Sequence, residues 1–200
     1  AITPRTLQIT AARQTRVYGD ADPSLTYANT GGSLVFSDAL TGGLTRDAGE
    51  NVGSYALHQG TLTAGGNNAS TTYSGTISGS GGFNKAGSGT LVFTGTDTYT
   101  GVTNINCGTL EVDGAITSSP SVNLNAGATL TGVGTVDPST VTIGSGSTFI
   151  PGTAGVPGTS MTIAGNLAFQ SGALYVVSVN QATSSFANVT GTASLGGTVQ

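Results

Sequence analysis

Apolar positions recur at a fixed spacing along the second half of the chain. Between Gly89 and Val189 one apolar residue returns every 19 or 20 positions. The members of this first series are Leu91, Leu110, Leu130, Phe149, Phe169 and Val189. Its first four members follow a glycine by two or three residues, as in Gly108-Thr109-Leu110. Such a period is typical of a repeat architecture in which each unit buries its apolar face against its neighbours.

A second apolar series keeps step with the first. Its members are Ile105, Leu124, Ile143 and Ile163. Short alternating runs such as Val141-Thr142-Ile143 lie between Gly, Ser, Asn and Pro, which predicts short strands joined by tight corners. The period is too short for a propeller blade, which needs about 40 residues. We therefore predict an all-β, right-handed parallel β-helix over residues 67–200, with about five or six rungs of about 20 residues and both series inside.

The composition excludes several classes of protein. Charged residues make up 7% of the chain and hydrophobic residues 36%, with 33 glycines and a formal net charge of -4. The low net charge and the regular apolar pattern argue against disorder, and no apolar run approaches the roughly 18 residues of a membrane-spanning helix. Five Lys and Arg spread along the chain form no basic patch for nucleic acid. Because residues 138–200 contain no charged residue, small polar side chains must solvate that part.

The single cysteine, Cys107, excludes an internal disulfide and a thiolate metal site. A reactive thiol is one interpretation, but its place between Ile105 and Gly108 favours a small corner or core residue. The chain begins at Ala1 without a signal peptide and stops within the repeat pattern at Gln200. We therefore expect a piece of a longer protein, with any targeting segment outside it.

Residues 1–66 differ in character and are predicted to form a separate, mostly-β domain. Four of the five basic residues, five of the nine acidic residues and the only histidine lie within residues 1–64. The stretches 18–25, 40–46 and 49–60, the first of which opens with Tyr-Gly-Asp, closely resemble the MBG domain of large bacterial surface adhesins. This resemblance implies a glycine-rich, mostly-β unit at the bacterial cell surface.

Residues 67–112 resemble a second family of surface proteins. The stretch 73–91, followed by Thr98-Tyr99-Thr100-Gly101 and Cys107-Gly108-Thr109-Leu110, resembles the passenger-associated repeat of autotransporters. Residues 113–200 continue in the same manner, for example with Gly127-Ala128-Thr129-Leu130. The resemblance implies a type V secreted protein that is located at the bacterial cell surface or outer membrane, or is secreted. It also implies one partner, the C-terminal outer-membrane β-barrel of the same full-length chain, which carries the passenger across the membrane.

The acidic residues of the N-terminal part are candidate calcium ligands. They are Asp20, Asp22, Asp38, Asp47 and Glu50. Calcium loops need closely spaced oxygen ligands, and only Asp20 and Asp22 come near that spacing, so we interpret the group as turn formers and solvated loop charges. His58 alternates with Tyr55 and Leu57 in a predicted strand. Without a second histidine or a thiolate nearby, we interpret it as a strand-surface residue rather than a metal ligand or a base.

Parallel β-helices also host enzymes, which need clustered carboxylates with an acid or base partner. The carboxylates after residue 65 are Asp97, Glu111, Asp113 and Asp137, and the only basic residue there is Lys85. Glu111 and Asp113 could face the same side of a strand as a catalytic pair, but we interpret these carboxylates as solvated surface. Glycine-rich pieces such as Gly79-Ser80-Gly81-Gly82 lack the Gly-Lys-Ser/Thr ending of a phosphate loop. We therefore predict no enzyme activity, no catalytic, cofactor-binding or metal-binding residues, and no cofactor.

Three functional classes remain. The first is a non-catalytic segment of a bacterial autotransporter adhesin passenger that mediates or supports adhesion or aggregation. Its expected partners are host cell-surface or matrix molecules, or copies on neighbouring cells, and not nucleic acid. The second is a passive surface stalk or folding-template segment whose binding tip lies upstream. The third is a β-helical polysaccharide-active enzyme, which the scattered carboxylates disfavour.

Overall fold

The computed structural model describes residues 8–31, 41–49, 51–55, 57–196 and 198–200. These residues form strands and no helix, and so none of them provides a long apolar helix that would cross a membrane. The strands are β1 Gln8–Ala11, β2 Tyr27–Gly31, β3 Thr41–Arg46, β4 Leu57–Ala64, β5 Thr71–Tyr73, β6 Phe83–Lys85, β7 Thr90–Phe93, β8 Thr96–Asp97, β9 Thr103–Ile105, β10 Gly108–Val112, β11 Ala115–Ile116, β12 Ser121–Leu124, β13 Ala128–Gly132, β14 Thr135–Val136, β15 Thr140–Ile143, β16 Thr148–Pro151, β17 Ser160–Ile163, β18 Asn166–Phe169, β19 Leu174–Tyr175, β20 Phe186–Val189, β21 Ala193–Leu195 and β22 Thr198–Val199.

From β5 onward the chain winds as a parallel coil with three strands in each rung. The first sheet has the order β22-β19-β16-β13-β10-β7-β5, and the second has the order β20-β17-β14-β11-β8. The third sheet has the order β21-β18-β15-β12-β9-β6-β4-β3. Each strand pairs in parallel with the strand three positions away along the chain, as β10 does with β7 and β13. The predicted all-β parallel β-helix is confirmed, and its right-handed sense stays a prediction.

The predicted apolar series form inner columns over the first rungs. Leu91, Leu110, Leu130 and Phe149 are direct register partners along the first sheet, and all four are buried. Ile105, Leu124 and Ile143 do the same along the third sheet. A side chain in such a column packs against the residue one rung above and one rung below, so the core is continuous through the coil.

After Phe149 the predicted columns are wrong because the rung lengthens. The register partner of Phe149 is Tyr175, 26 residues later, and not Phe169. Phe169 instead lies in the third sheet opposite Ile143. Ile163 lies in the second sheet, opposite Val136 and Val189, so the two predicted series exchange members there. The cause is an added loop at residues 152–159, which displaces a strictly periodic count by about one strand.

The repeated glycines hold the corner before each strand of the first sheet. Gly108, Gly127 and Gly146 have φ values of 65°, 80° and 74°, in the left-handed region that side chains other than glycine rarely adopt. Gly172 adopts the same conformation, with φ 82°, just before Leu174–Tyr175. The glycine signature therefore follows the strand through the lengthened rung, where the fixed period does not.

The N-terminal part consists of antiparallel pairs that join the coil through β4. Strands β1 and β2 form an antiparallel pair, and β3 pairs antiparallel with β4. Strand β4 in turn pairs in parallel with β6, so the third sheet runs without interruption from β3 to β21. The predicted boundary between residues 66 and 67 remains a prediction, and hydrogen bonds of one sheet cross it.

Candidate functional site

The N-terminal acidic residue Asp22 is paired with arginine side chains. Arg46 donates from Nε to its Oδ2 at 2.8 Å, and Arg46 Nη2 also lies 2.8 Å from that oxygen. Arg16 Nε lies 3.2 Å from Oδ1, and Arg16 Nη1 donates to the Asp20 carbonyl. The hydrogen bond from Arg46 is the main reason why the pKa of Asp22 lies below its ordinary value, and the charge of Arg16 adds to the effect. Asp22 therefore acts as an ion-pair centre that ties residues 16 and 46 together.

The other predicted calcium ligands and the histidine lie apart from this centre or outside the described residues. Asp38 and Glu50 lie outside the described residues, and Asp47 is exposed. Within the part of the chain that the structure describes, no three His, Cys, Asp or Glu side chains come together to hold a metal ion. The backbone of His58 lies in β4 opposite Thr45, in agreement with the predicted strand.

Glu111 and Asp113 lie at the end of β10 on the outer face of the first sheet. Glu111 is half-buried, and burial followed by the charge of Asp113 raises its pKa above the ordinary value. Asp113 accepts a hydrogen bond from the Val133 N–H at 3.3 Å. Because Lys85 lies buried inside the coil, the only basic residue after residue 65 cannot serve a substrate at this face.

Lys85 occupies a position in the inner column of the third sheet, beside Ile105. Its side chain is fully buried, and Nζ donates to the carbonyl oxygens of Ala86 at 2.7 Å, Gly87 at 2.8 Å and Cys107 at 3.2 Å. Burial is the main reason why the pKa of Lys85 lies below its ordinary value. The ammonium group therefore fastens two successive corners of the coil from within.

Asp97 is also inside the coil, so its interpretation as solvated surface is wrong. The side chain is fully buried, Oδ1 accepts a hydrogen bond from the Ile77 N–H at 2.7 Å, and Oδ2 has no hydrogen-bond partner. Burial raises the pKa of Asp97 to about 6. Its position one period before the buried Ile116 is the sequence signal that could have placed it inside.

A short chain of hydroxyl groups lies inside the coil near the corner that follows β8. Tyr99 Oη lies 2.6 Å from Thr103 Oγ1, and Thr103 Oγ1 lies 2.9 Å from Ser119 Oγ. All three side chains are buried. Ser119 also lines a shallow outer depression in which Asp137 is the only titratable side chain. A single carboxylate gives this depression no acid and base pair.

Cys107 is exposed at the corner before β10, so its interpretation as a core residue is wrong and that as a corner residue is correct. Its backbone carbonyl accepts the third hydrogen bond of Lys85. The residue contributes to the coil through this carbonyl, and its side chain faces solvent.

The outer faces carry columns of uncharged polar side chains that the apolar pattern did not reveal. On the third sheet, Asn84, Asn104 and Asn123 form an amide ladder in register. Asn104 Nδ2 donates to Asn84 Oδ1 at 3.1 Å, and Asn123 Nδ2 donates to Asn104 Oδ1 at 3.2 Å. Beside this ladder, Asn125 Nδ2 donates to Asn106 Oδ1 at 2.7 Å.

The first sheet carries a comparable threonine column. Its members are half-buried register partners, namely Thr90, Thr109, Thr129 and Thr148. Hydroxyl and amide groups in such columns offer both donors and acceptors to a ligand without carrying charge.

Comparisons with known proteins agree with this geometry. Residues 7–80 match the family model of the MBG domain (YGX type), and residues 83–112 match that of the passenger-associated-transport-repeat. Over 119 residues, which are 52% of this chain and 4% of the relative, the sequence is 37% identical to the adhesin BmaC autotransporter of Brucella suis biovar 1 (strain 1330). Over 64 residues, which are 32% of this chain and 6% of the relative, it is 44% identical to an extracellular serine protease of Serratia marcescens.

The matched regions therefore span only a small share of the length of either relative. The two family matches fall on the antiparallel N-terminal part and on the first rungs of the coil, which is where the corresponding strands lie. Together with the parallel coil, they identify the chain as a segment of an autotransporter passenger with an MBG-like domain, a cell-surface or secreted protein.

Proposed function

We propose that this segment is a non-catalytic part of an adhesin passenger and that it supports adhesion or aggregation through the outer face of its third sheet. The observation that carries the proposal is the amide ladder of Asn84, Asn104 and Asn123, which continues in register to Thr142. These four side chains are half-buried and uncharged. The similarity to an adhesin autotransporter supports the class of function.

The partner in this proposal is a polar surface, either a host cell-surface or matrix molecule or a second copy on another cell. Amide groups recognise hydroxyl, amide and backbone groups by hydrogen bonding, and they do not depend on ion pairs. The first sheet is a weaker candidate because Glu111 interrupts its outer face with a charge. Contacts through the third sheet therefore involve no charged side chain of the ladder.

Binding of the whole chain to host cells, matrix proteins or a second copy should change little between low and high salt, less than about twofold. Exposed charges separated by more than a Debye length are screened by salt, whereas hydrogen bonds between uncharged groups are much less sensitive. Binding can be measured by surface plasmon resonance with the immobilised chain. Strong weakening by salt would contradict the proposal, because it would assign the contacts to the charged residues of the N-terminal part.

The substitution Asn123→Lys tests the face directly. A lysine in the middle of the amide ladder introduces a charge and a long side chain, and we expect it to weaken binding about tenfold. Thr109→Lys, on the threonine column of the first sheet, is the matched control and should leave binding unchanged. If Thr109→Lys weakens binding and Asn123→Lys does not, the third sheet is the wrong face. If no partner binds the wild-type chain, the passive stalk is the better interpretation.

A catalytic role has one supporting observation, the similarity to an extracellular serine protease. A serine-histidine-aspartate site in this segment would need His58, the only histidine, which lies in β4. We expect the purified chain to release no product from peptide or polysaccharide substrates. The check is a time course with the wild-type chain and the variants His58→Asn and Glu111→Gln. Activity that disappears in either variant would contradict the non-catalytic assignment.

A further inference from the structure

Asp97 interrupts an inner column that is otherwise apolar. Along the second sheet its register partner is Ile116, which is followed by Val136, Ile163 and Val189. The first three of these apolar side chains are fully buried, as Asp97 is. A carboxylate at this position costs folding free energy unless its oxygen atoms are hydrogen-bonded, because water is excluded. The second sheet therefore begins with a residue whose protonation state affects its stability.

The carboxylate contacts the segment that lies on the N-terminal side of the second sheet. The Ile77 N–H donates to Asp97 Oδ1 at 2.7 Å, and the Thr98 N–H donates to the Ile77 carbonyl at 2.8 Å. One turn of chain further on, the Thr100 N–H donates to the Gly79 carbonyl at 2.9 Å. Residues 77–79 form no strand, so these few hydrogen bonds attach them to the edge of the coil.

The titratable groups around Asp97 do not compensate its charge. Tyr73 and Tyr99 act on it electrostatically, and burial raises the pKa of both, so they remain neutral through the physiological range. Lys85, the buried cation of the third sheet, donates to three backbone carbonyls. Asp97 Oδ2 has no hydrogen-bond partner. An ionised Asp97 is therefore held by a single backbone N–H.

We propose that Asp97 makes the attachment of residues 77–79 to the second sheet sensitive to pH, so that protonation of its carboxyl group strengthens the attachment and ionisation weakens it. The buried location and the single hydrogen bond determine the direction, because removal of the charge removes most of the desolvation cost while Oδ1 can still accept from Ile77. The segment at stake joins the part matched by the MBG family to the coil. The proposal is independent of the adhesive function proposed above.

The sign of the effect follows from proton linkage. Burial raises the pKa of Asp97 from its ordinary value of 3.8 to about 6, so the folded chain binds this proton more tightly than the opened chain does. Stability from this group is then fully present below the ordinary value, and it is lost as the pH rises towards and through about 6. The change is largest between about pH 4 and about pH 6.5 and levels off above that range.

Amide hydrogen exchange on the full chain tests the proposal locally. After correction for intrinsic rates, opening at the Ile77 and Thr98 amides should be about tenfold more frequent at about pH 7.5 than at about pH 5, because each pKa unit corresponds to a tenfold change. The variant Asp97→Asn keeps an acceptor for Ile77 and cannot ionise, so its opening should not change with pH. Asp137→Asn, at the exposed corner, is the matched control and should behave as the wild type. His58 and Glu111 also titrate, and the comparison with Asp97→Asn subtracts their contribution.

A wild-type profile that is flat, or one that persists in Asp97→Asn, would overturn the proposal. If Asp97→Asn fails to fold, the titration of the Asp97 carboxyl carbon in the wild-type chain by NMR gives a separate test. A midpoint near pH 6 supports the proposal, and a midpoint near the ordinary value of an exposed aspartate overturns it.

Discussion

Leu130→Asp should destabilise the chain by about 4 kcal/mol, since it leaves a cavity and buries an unpaired charge. Leu130 is fully buried between Leu110 and Phe149, its register partners on the neighbouring rungs. No cation lies in that column to compensate a carboxylate, because its described members are apolar from Leu91 to Phe149. Urea unfolding followed by circular dichroism gives the difference in the free energy of unfolding.

The matched control for this substitution is Thr129→Asp on the same strand. Thr129 is half-buried on the outer face between Thr109 and Thr148, so an aspartate there reaches solvent and should cost at most about 1 kcal/mol through its low strand propensity. Equal midpoints for the two variants would mean that the inward register is shifted by one residue. Alternation alone would suggest Thr131 as the control, but Thr131 is only 5% exposed and its Oγ1 donates to the Gly152 carbonyl.

Thr131 shows why alternation predicts the inner face better than the outer one. A side chain inside the coil is buried by the rungs themselves, and the period of two along a strand determines which residues point there. Burial outside depends on loops that fold over the sheet, and the added loop at residues 152–159 covers Thr131. Strand patterns therefore predicted Leu130 correctly and contain no information about the cover over Thr131.

The same loop explains why the predicted columns failed after Phe149. Counting 20 residues from Phe149 leads to Phe169, an apolar residue that is also buried, but in the third sheet. The corner glycine is the better marker, because a left-handed conformation is required there whatever the length of the rung. Gly172 precedes Tyr175 by three residues, as Gly127 precedes Leu130, and Tyr175 is the true partner of Phe149.

The buried charges were accessible from the sequence through the columns and were missed because charged residues were assumed to be at the surface. Lys85 precedes Ile105 by 20 residues and Asp97 precedes Ile116 by 19, so both occupy inner positions. Their surroundings could not be predicted. The three carbonyl partners of Lys85 come from corners whose path depends on tertiary structure, as does the absence of a partner for Asp97 Oδ2.

The candidate contact face was also beyond the reach of the apolar pattern. The sequence shows Asn84, Asn104 and Asn123 as isolated polar residues between apolar ones. Only the parallel register brings their amides into one ladder, since each lies one rung above the next. Family resemblance predicted the class of protein, whereas the identity of a face depends on which residues share a column.

Lys85→Met should destabilise the chain by about 2–3 kcal/mol, because three buried carbonyl groups lose a charged donor. The methionine side chain retains most of the apolar stem of lysine, so loss of packing contributes little. Burial of the ammonium opposes this effect, as the lowered pKa of Lys85 indicates. We expect the hydrogen bonds to prevail, since Nζ has three carbonyl partners at 2.7, 2.8 and 3.2 Å.

Ile105→Met is the matched control, one rung further along the same inner column. It introduces the same side chain at a fully buried position without removing a hydrogen bond, and should cost less than about 1.5 kcal/mol. Urea midpoints of the two variants at neutral pH separate the loss of the ammonium from the effect of the methionine. If Lys85→Met is as stable as the wild type, desolvation of the ammonium cancels its hydrogen bonds, and Lys85 does not fasten the corners of the coil.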